Sequence, residues 1–111
     1  MKFLRVGEPG KEKSAVLDNN EIVHDASSII DDLNSKTINQ DTIDKFKKID
    51  ITKLPTFEKN IRIGPCVSNP EKFIGIGLNY SEHAKETKAN APKEPIVFIK
   101  ANNSISGPND D

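Results

Sequence analysis

The first part of the chain consists of short apolar segments separated by polar turns. Residues 2–6 alternate loosely between apolar and polar and predict a strand. Residues 15–17 and 22–23 flank the polar run 18–21, in which asparagine tolerates a positive φ, and this pattern predicts a hairpin. The chain is therefore expected to open with β-structure.

Two segments with helical spacing follow. In residues 27–33 a pair of serines precedes three apolar residues, which predicts a short helix with a serine cap. Residues 41–49 predict a second helix whose start is capped by Asp41 or Thr42. Its apolar face is expected to carry Ile43, Phe46 and Ile49.

Residues 50–70 differ from the two preceding segments in that they cannot form a long helix, because they contain three X–Pro pairs. This stretch reads as a linker with one short strand at residues 61–63. We therefore predict a domain boundary near residues 66–70, with a small N-terminal domain over residues 1–66 and a second domain over residues 67–111.

The second segment begins a domain without completing it. Residues 73–78 and 95–100 are compact apolar runs that predict buried strands, and residues 81–88 between them are compatible with a helix. Two strands and one helix cannot close a core. The expected fold class is α+β: a small β/α domain followed by the opening strands of a β-rich domain, within a fragment of a larger protein.

Composition excludes several classes of function. The chain has 16 basic and 17 acidic residues and a net charge of −1, without the basic stripe that nucleic-acid binding requires. No apolar run suits a membrane span or a signal peptide, so we expect a cytoplasmic protein that binds neither nucleic acid nor membrane. Cys66, the one cysteine, permits no internal disulfide and is expected to be a small buried apolar residue.

The chemically richest segment is residues 77–86, directly after a predicted strand. Tyr80, His83 and Glu86 are spaced three apart and share one face of a helix. A carboxylate one turn from a histidine orients the imidazole and favours its charged form, as an acid/base pair requires. Asn79 and Tyr80 add an amide and a phenol that suit a polar ligand.

Two other interpretations of this segment remain open. A histidine and a glutamate three apart also occur as a solvated surface pair that contributes about 0.2–0.5 kcal/mol. The glycines Gly75 and Gly77 hint at a dinucleotide-binding loop, but Tyr80 occupies the position of its third glycine, which disfavours a Rossmann site.

Several runs of residues resemble the fumarylacetoacetate hydrolase family. The resemblance is specific in residues 64–108, diffuse in residues 14–60, and also present near the start of the chain, which resembles the branch with a small N-terminal domain. The runs that carry it are Gly64-Pro65-Cys66-Val67, Lys72-Phe73-Ile74-Gly75-Ile76-Gly77-Leu78-Asn79-Tyr80, Glu82-His83-Ala84, Glu86-Thr87, Pro95-Ile96-Val97-Phe98-Ile99-Lys100-Ala101 and Gly107-Pro108.

The resemblance implies a β-rich, generally homodimeric enzyme that uses Mg²⁺ or Mn²⁺ on small 2-oxo or 1,3-dioxo acids, similar to ureidoglycolate lyases or 2-hydroxyhepta-2,4-diene-1,7-dioate isomerases. It makes His83 and Glu86 a catalytic dyad on a lid-like segment. It makes Asn79, Tyr80 and Lys100 candidates for binding the substrate's carboxylate or oxo groups.

The same resemblance assigns no metal ligand to this chain. The family's Glu-x-Glu pair and later aspartate are expected downstream of the Gly107-Pro108 turn, so the chain is expected to be inactive alone. Asp110 and Asp111 are expected to form a solvated end, and His24 is expected on a surface turn. The alternative to an enzyme is a small non-catalytic module that binds a partner.

Overall fold

The structure, a computed structural model, describes residues 1–86 and 92–111. It divides into two compact units. The first comprises Met1–Pro70 together with Ile105–Asp111, and the second is Glu71–Ser104. Residues 105–111, assigned from sequence to the second domain, thus pack with the first unit, because an ion pair described below holds them there.

A three-stranded antiparallel sheet forms the first unit, with strand order β1-β2-β3. The strands are β1 (Lys2–Val6), β2 (Lys13–Leu17) and β3 (Val23–Asp25). The predicted hairpin is present: the Asp18 carboxylate accepts hydrogen bonds from the amides of Asn20 (2.8 Å) and Ile22 (2.9 Å). The positive φ falls on Glu21 (62°) and not on an asparagine.

One helix packs on this sheet. Helix α1 spans Gln40–Lys47, and its N-cap is Asn39, not Asp41 or Thr42, since the Asn39 side chain accepts from the Thr42 amide. The predicted apolar face is wrong at two of its three positions. Phe46 is buried, whereas Ile43 and Ile49 are 40% and 38% exposed.

The helix predicted over residues 27–33 does not form. The amides of Ile29 and Ile30 both donate to the Ala26 carbonyl, which makes a turn. The Asp32 carboxylate then accepts from the Leu33 amide at 2.8 Å, a local bond that competes with helical pairing. Ile30 and Leu33 are still buried, so the turn places the same apolar residues in the core.

The core of the first unit lies between the sheet, this turn and α1. It consists of buried apolar side chains, and Phe3 packs edge-on against Phe46 with ring centroids 4.9 Å apart. The cluster is Val16, Ala26, Ile30, Leu33 and Phe46.

The segment between α1 and residue 70 follows both edges of the sheet. It contains a 3₁₀ turn at Ile51–Lys53 and two isolated bridges, Val6 with Ile63 and His24 with Thr56. The strand predicted at residues 61–63 is thus reduced to a single bridge. The two bridges therefore pair this segment with the outer edges of β1 and β3, so neither edge strand is left without a backbone partner.

The second unit is a two-stranded hairpin with a short helix. Strands β4 (Phe73–Gly77) and β5 (Ile96–Lys100) are antiparallel, and α2 spans Ser81–Glu86. The predicted helix continued to residue 88, and its last two positions lie outside the described residues. A 3₁₀ turn, Asn102–Ser104, follows β5.

Most apolar residues of this hairpin are exposed, contrary to the expectation of buried strands, and Phe73 is half-buried. Ile74 is 51% exposed on β4, and Val97 and Ile99 are 61% and 76% exposed on β5. Within the described residues of this unit, two strands and a short helix do not supply a second layer over these faces. Across the described residues, moreover, every helix is too short or too polar to cross a membrane.

Candidate functional site

The candidate site lies where β4 passes into α2. Leu78 occupies the turn with φ 49°, a left-handed conformation that is uncommon for a residue other than glycine. Asn79 and Tyr80 follow it, and both are exposed, Tyr80 by 75%. The turn therefore presents an amide and a phenol to solvent at one end of the hairpin.

Helix α2 contains both members of the predicted dyad. His83 and Glu86 are three residues apart within Ser81–Glu86, so the helical backbone places them on the same side. The Glu86 side chain is exposed, and the His83 side chain lies outside what the structure describes. The helical spacing of the pair is present, and their contact stays a prediction.

Lys100 lies far from this group. In the register of the hairpin Lys100 pairs with Phe73, whereas the turn to Asn79 follows Gly77, which pairs with Ile96. Four residues of strand separate these ends, about 13 Å. The Lys100 ammonium lies 5.1 Å from the centroid of the Phe73 ring, a cation–π contact. The structure therefore brings Asn79 and Tyr80 together and does not bring Lys100 to them.

The described residues do not form a metal centre. Over residues 1–86 and 92–111, no three histidine, cysteine, aspartate or glutamate side chains converge as a cation would require. The carboxylates of Glu12, Asp32 and Asp110 face arginines.

Sequence reasoning missed a chain of ion pairs in the first unit. The Arg5 guanidinium donates to Asp32 at 2.6 Å and to Glu12 at 3.4 Å. Glu12 also accepts from Arg62 at 3.0 Å, and Arg62 donates to Asp110 at 2.5 Å. The sequence held one signal: the chain has only two arginines, and both belong to this network.

These contacts lower the pKa values of the three carboxyl groups in the network. Burial alone would raise the pKa of Glu12, but the hydrogen bond from Arg62 and the charges of both arginines hold it below its ordinary value. The pKa of Asp32 is lowered in the same way, by Arg5 against the effect of burial. The bond from Arg62, helped by the Gly107 amide, lowers the pKa of Asp110. All three carboxylates are therefore stabilised in their charged form.

Three side chains differ from their expected surroundings. His24 was expected on a surface turn but is buried, with its ring nitrogens 3.2 Å from an Asp18 carboxylate oxygen and 3.3 Å from the Leu54 carbonyl oxygen. Cys66 is exposed and not buried. Asp110 is bound to Arg62 and is not a solvated chain end. For His24 and Asp110, residues 30 and 48 positions away along the chain supply a contact.

The sequence is similar to curated hydrolases from Burkholderia. It is 44% identical over 110 residues to proteins of Burkholderia cenocepacia and Burkholderia ambifaria, both of which bear the name "Putative hydrolase". The match covers 99% of this chain and 39% of each relative. A protein of Burkholderia multivorans matches to the same extent. No family model matches the chain.

This similarity extends through both units of the structure. The chain spans 39% of the length of the relatives it matches, so it corresponds to part of such a protein. The hairpin and helix α2, with the predicted dyad, fall within that match because it includes 99% of the chain.

Proposed function

We propose that this chain is the N-terminal part of a divalent-metal-dependent hydrolase, lyase or isomerase of the fumarylacetoacetate hydrolase family, acting on small 2-oxo or dioxo acids. The observation that carries the proposal is the 44% identity to the Burkholderia hydrolases along nearly the whole chain. The resemblance of residues 64–108 to the family supplies the chemistry, including a homodimer and Mg²⁺ or Mn²⁺ held by carboxylates that are not in this chain.

The residues of this chain would move a proton and bind the substrate. His83 takes or delivers the proton, and Glu86, one helical turn away, orients the imidazole and stabilises its charged form. The exposed amide of Asn79 and phenol of Tyr80 would hydrogen-bond a carboxylate or oxo group of the substrate. Both groups follow directly after the left-handed turn at Leu78, which ends β4.

Lys100 lies apart from the other two substrate-binding candidates. Its ammonium is engaged with the Phe73 ring at the other end of the hairpin. It would reach the same substrate only if that substrate extended along the hairpin. We therefore assign the first contacts to Asn79 and Tyr80.

A chimaera tests the proposal. The matching segment of the Burkholderia cenocepacia protein is replaced by this chain, and turnover of 2-oxo and 1,3-dioxo acids is measured with Mg²⁺ or Mn²⁺. His83→Ala should lower kcat by about 10²–10⁴-fold, the usual size of acid–base assistance, and should leave metal binding nearly intact. Glu82→Gln, on the same helix but outside the dyad, is the matched control and should retain turnover.

The double variant distinguishes a dyad from a surface pair. Glu86→Gln should lower kcat and shift the pH–rate profile, because it removes the charge that favours imidazolium. Added to His83→Ala, it should cost little more, since residues that act as a unit are not additive. Turnover near the parental value in a folded His83→Ala chimaera would remove His83 from the mechanism.

A further inference from the structure

The turn formed by residues 107–110 packs tightly against the first unit. Gly107 is buried, and a Cβ atom at that position would lie 2.3 Å from the Ile63 carbonyl oxygen and 3.1 Å from the Gly64 Cα. Only a residue without a side chain permits this approach. The backbone of the turn is therefore in direct contact with residues 63–64.

An arginine fork holds the same turn. The Arg62 guanidinium donates to both carboxylate oxygens of Asp110, from Nε at 2.7 Å and from Nη2 at 2.5 Å. Asp110 also accepts from the Gly107 amide at 2.7 Å, which fixes the carboxylate within its own turn. Two parallel charge-assisted bonds give this pair both strength and a defined geometry.

Arg62 also makes contacts that orient it independently of Asp110. Its Nη1 donates to the Gly7 carbonyl at 2.9 Å and to Glu12 at 3.0 Å. Glu12 also accepts from Arg5 and from the Gly10 amide. The fork is thus oriented by the N-terminal sheet and its first turn, so little side-chain freedom remains to be lost when it binds Asp110.

We propose that the Arg62–Asp110 pair is a clasp that closes residues 71–104 into a loop with both ends fixed on the first unit. Residue 70 and residue 105 both belong to that unit, and the clasp joins positions on either side of the intervening hairpin. Closing a loop costs conformational entropy, and a strong contact at its base offsets that cost. The proposal concerns the architecture of the chain and does not depend on the proposed reaction.

The clasp has a defined pH dependence. Asp110 faces Arg62 and the Gly107 amide, while Arg62 also faces Glu12, which in turn faces Arg5. The Arg62 bond lowers the pKa of Asp110, so the pair is complete above the ordinary carboxyl range and is lost as pH falls through the lowered value. Neutral solution keeps the clasp closed.

Backbone NMR relaxation of the 111-residue chain tests the clasp, with Asp110→Asn and its neighbour Asp111→Asn as matched variants. Asp110→Asn should lower the order parameters of residues 105–111 below about 0.6, the range of flexible backbone, and leave β1–β3 ordered. Asp111→Asn should behave as the wild type. Ordered residues 105–111 in Asp110→Asn would overturn the proposal.

Acid titration of the wild type provides a second, independent measurement if Asp110→Asn fails to fold. As pH falls, residues 105–111 should become flexible before the sheet of the first unit loses its dispersed amide signals. Simultaneous loss of both would contradict a separate clasp. Addition of salt should have a smaller effect than in a fully exposed pair, because partial burial limits screening.

Discussion

The Glu12 carboxylate contacts both arginines of the first unit. Its side chain is only 5% exposed, and its carboxylate accepts from Arg62 at 3.0 Å, from the Gly10 amide at 3.1 Å and from Arg5 at 3.4 Å. Glu12→Gln keeps the shape and one oxygen but turns an amide donor toward a guanidinium donor. We expect this substitution to destabilise the unit.

The magnitude follows from what each arginine retains. Arg5 keeps Asp32 and Arg62 keeps Asp110, so neither charge is left unpaired and the full cost of breaking a buried pair, about 3–5 kcal/mol, does not apply. The 3.4 Å contact is long and contributes little. The loss therefore amounts to one hydrogen bond between charged groups, about 1.5–3 kcal/mol. For a unit of this size it corresponds to a fall in Tm of about 6–24 °C.

Urea denaturation followed by circular dichroism measures the change, with Glu8→Gln as the control. Glu8 forms an ion pair with Lys11 at 3.1 Å, but both side chains are more than three-quarters exposed, at 76% and 78%. Removing that charge should change the free energy of unfolding by less than about 0.5 kcal/mol. Equal effects of the two substitutions, or a Glu12→Gln protein as stable as the wild type, would refute the reasoning.

The difference should depend on pH in one direction. Because the pKa of Glu12 is lowered in the folded state, its stabilisation is fully present above the ordinary glutamate value and declines as pH falls through the lowered one. Wild type and Glu12→Gln should therefore converge in stability in acid. A difference that stays constant from neutral to acid pH would show that packing, not charge, accounts for the effect.

Three further substitutions, with Gly77→Ala as a control, test the packing and the cap of α1. Phe46→Ala should reduce the free energy of unfolding by about 3–5 kcal/mol, because it empties the core contact with Phe3, and urea melts would measure the loss. Asn39→Ala should cost about 1 kcal/mol and reduce helical circular dichroism, since it removes the cap of α1. Gly75→Ala should shift the Phe98 ring signals in NMR spectra, because its Cβ would lie 2.3 Å from that ring, which is partly exposed and must move aside. Gly77→Ala, where the nearest atom is 3.4 Å away, should not.

Local patterns accounted for much of the secondary structure. The strands at residues 2–6 and 73–77, the turn after residue 17 and the helix around Phe46 appear where alternation and spacing placed them. The helix expected over residues 27–33 failed because its spacing suited a turn equally well, and Asp32 bonds its own neighbour and Arg5. Short segments lack enough helical bonds to outweigh such contacts.

For the candidate site, the sequence by itself determined the spacing of His83 and Glu86 and their position after a strand. Spacing along one helix is a local property, fixed by 3.6 residues per turn. Only the tertiary structure placed Lys100 at the opposite end of the hairpin from Tyr80, because strand register depends on two segments at once.

In the first unit, too, local patterns predicted the elements, whereas contacts between distant residues required the structure. The sequence predicted strands and two helices in residues 1–66 from the periodicity of apolar positions, and the first three strands and the second helix are present. Only the tertiary structure decided that Arg62 binds Asp110 and that both of the chain's arginines meet at Glu12. Ion pairs between residues 48 and 50 positions apart leave no local pattern. Their partners are selected by the path of the folded backbone, which brings distant charges within hydrogen-bonding distance.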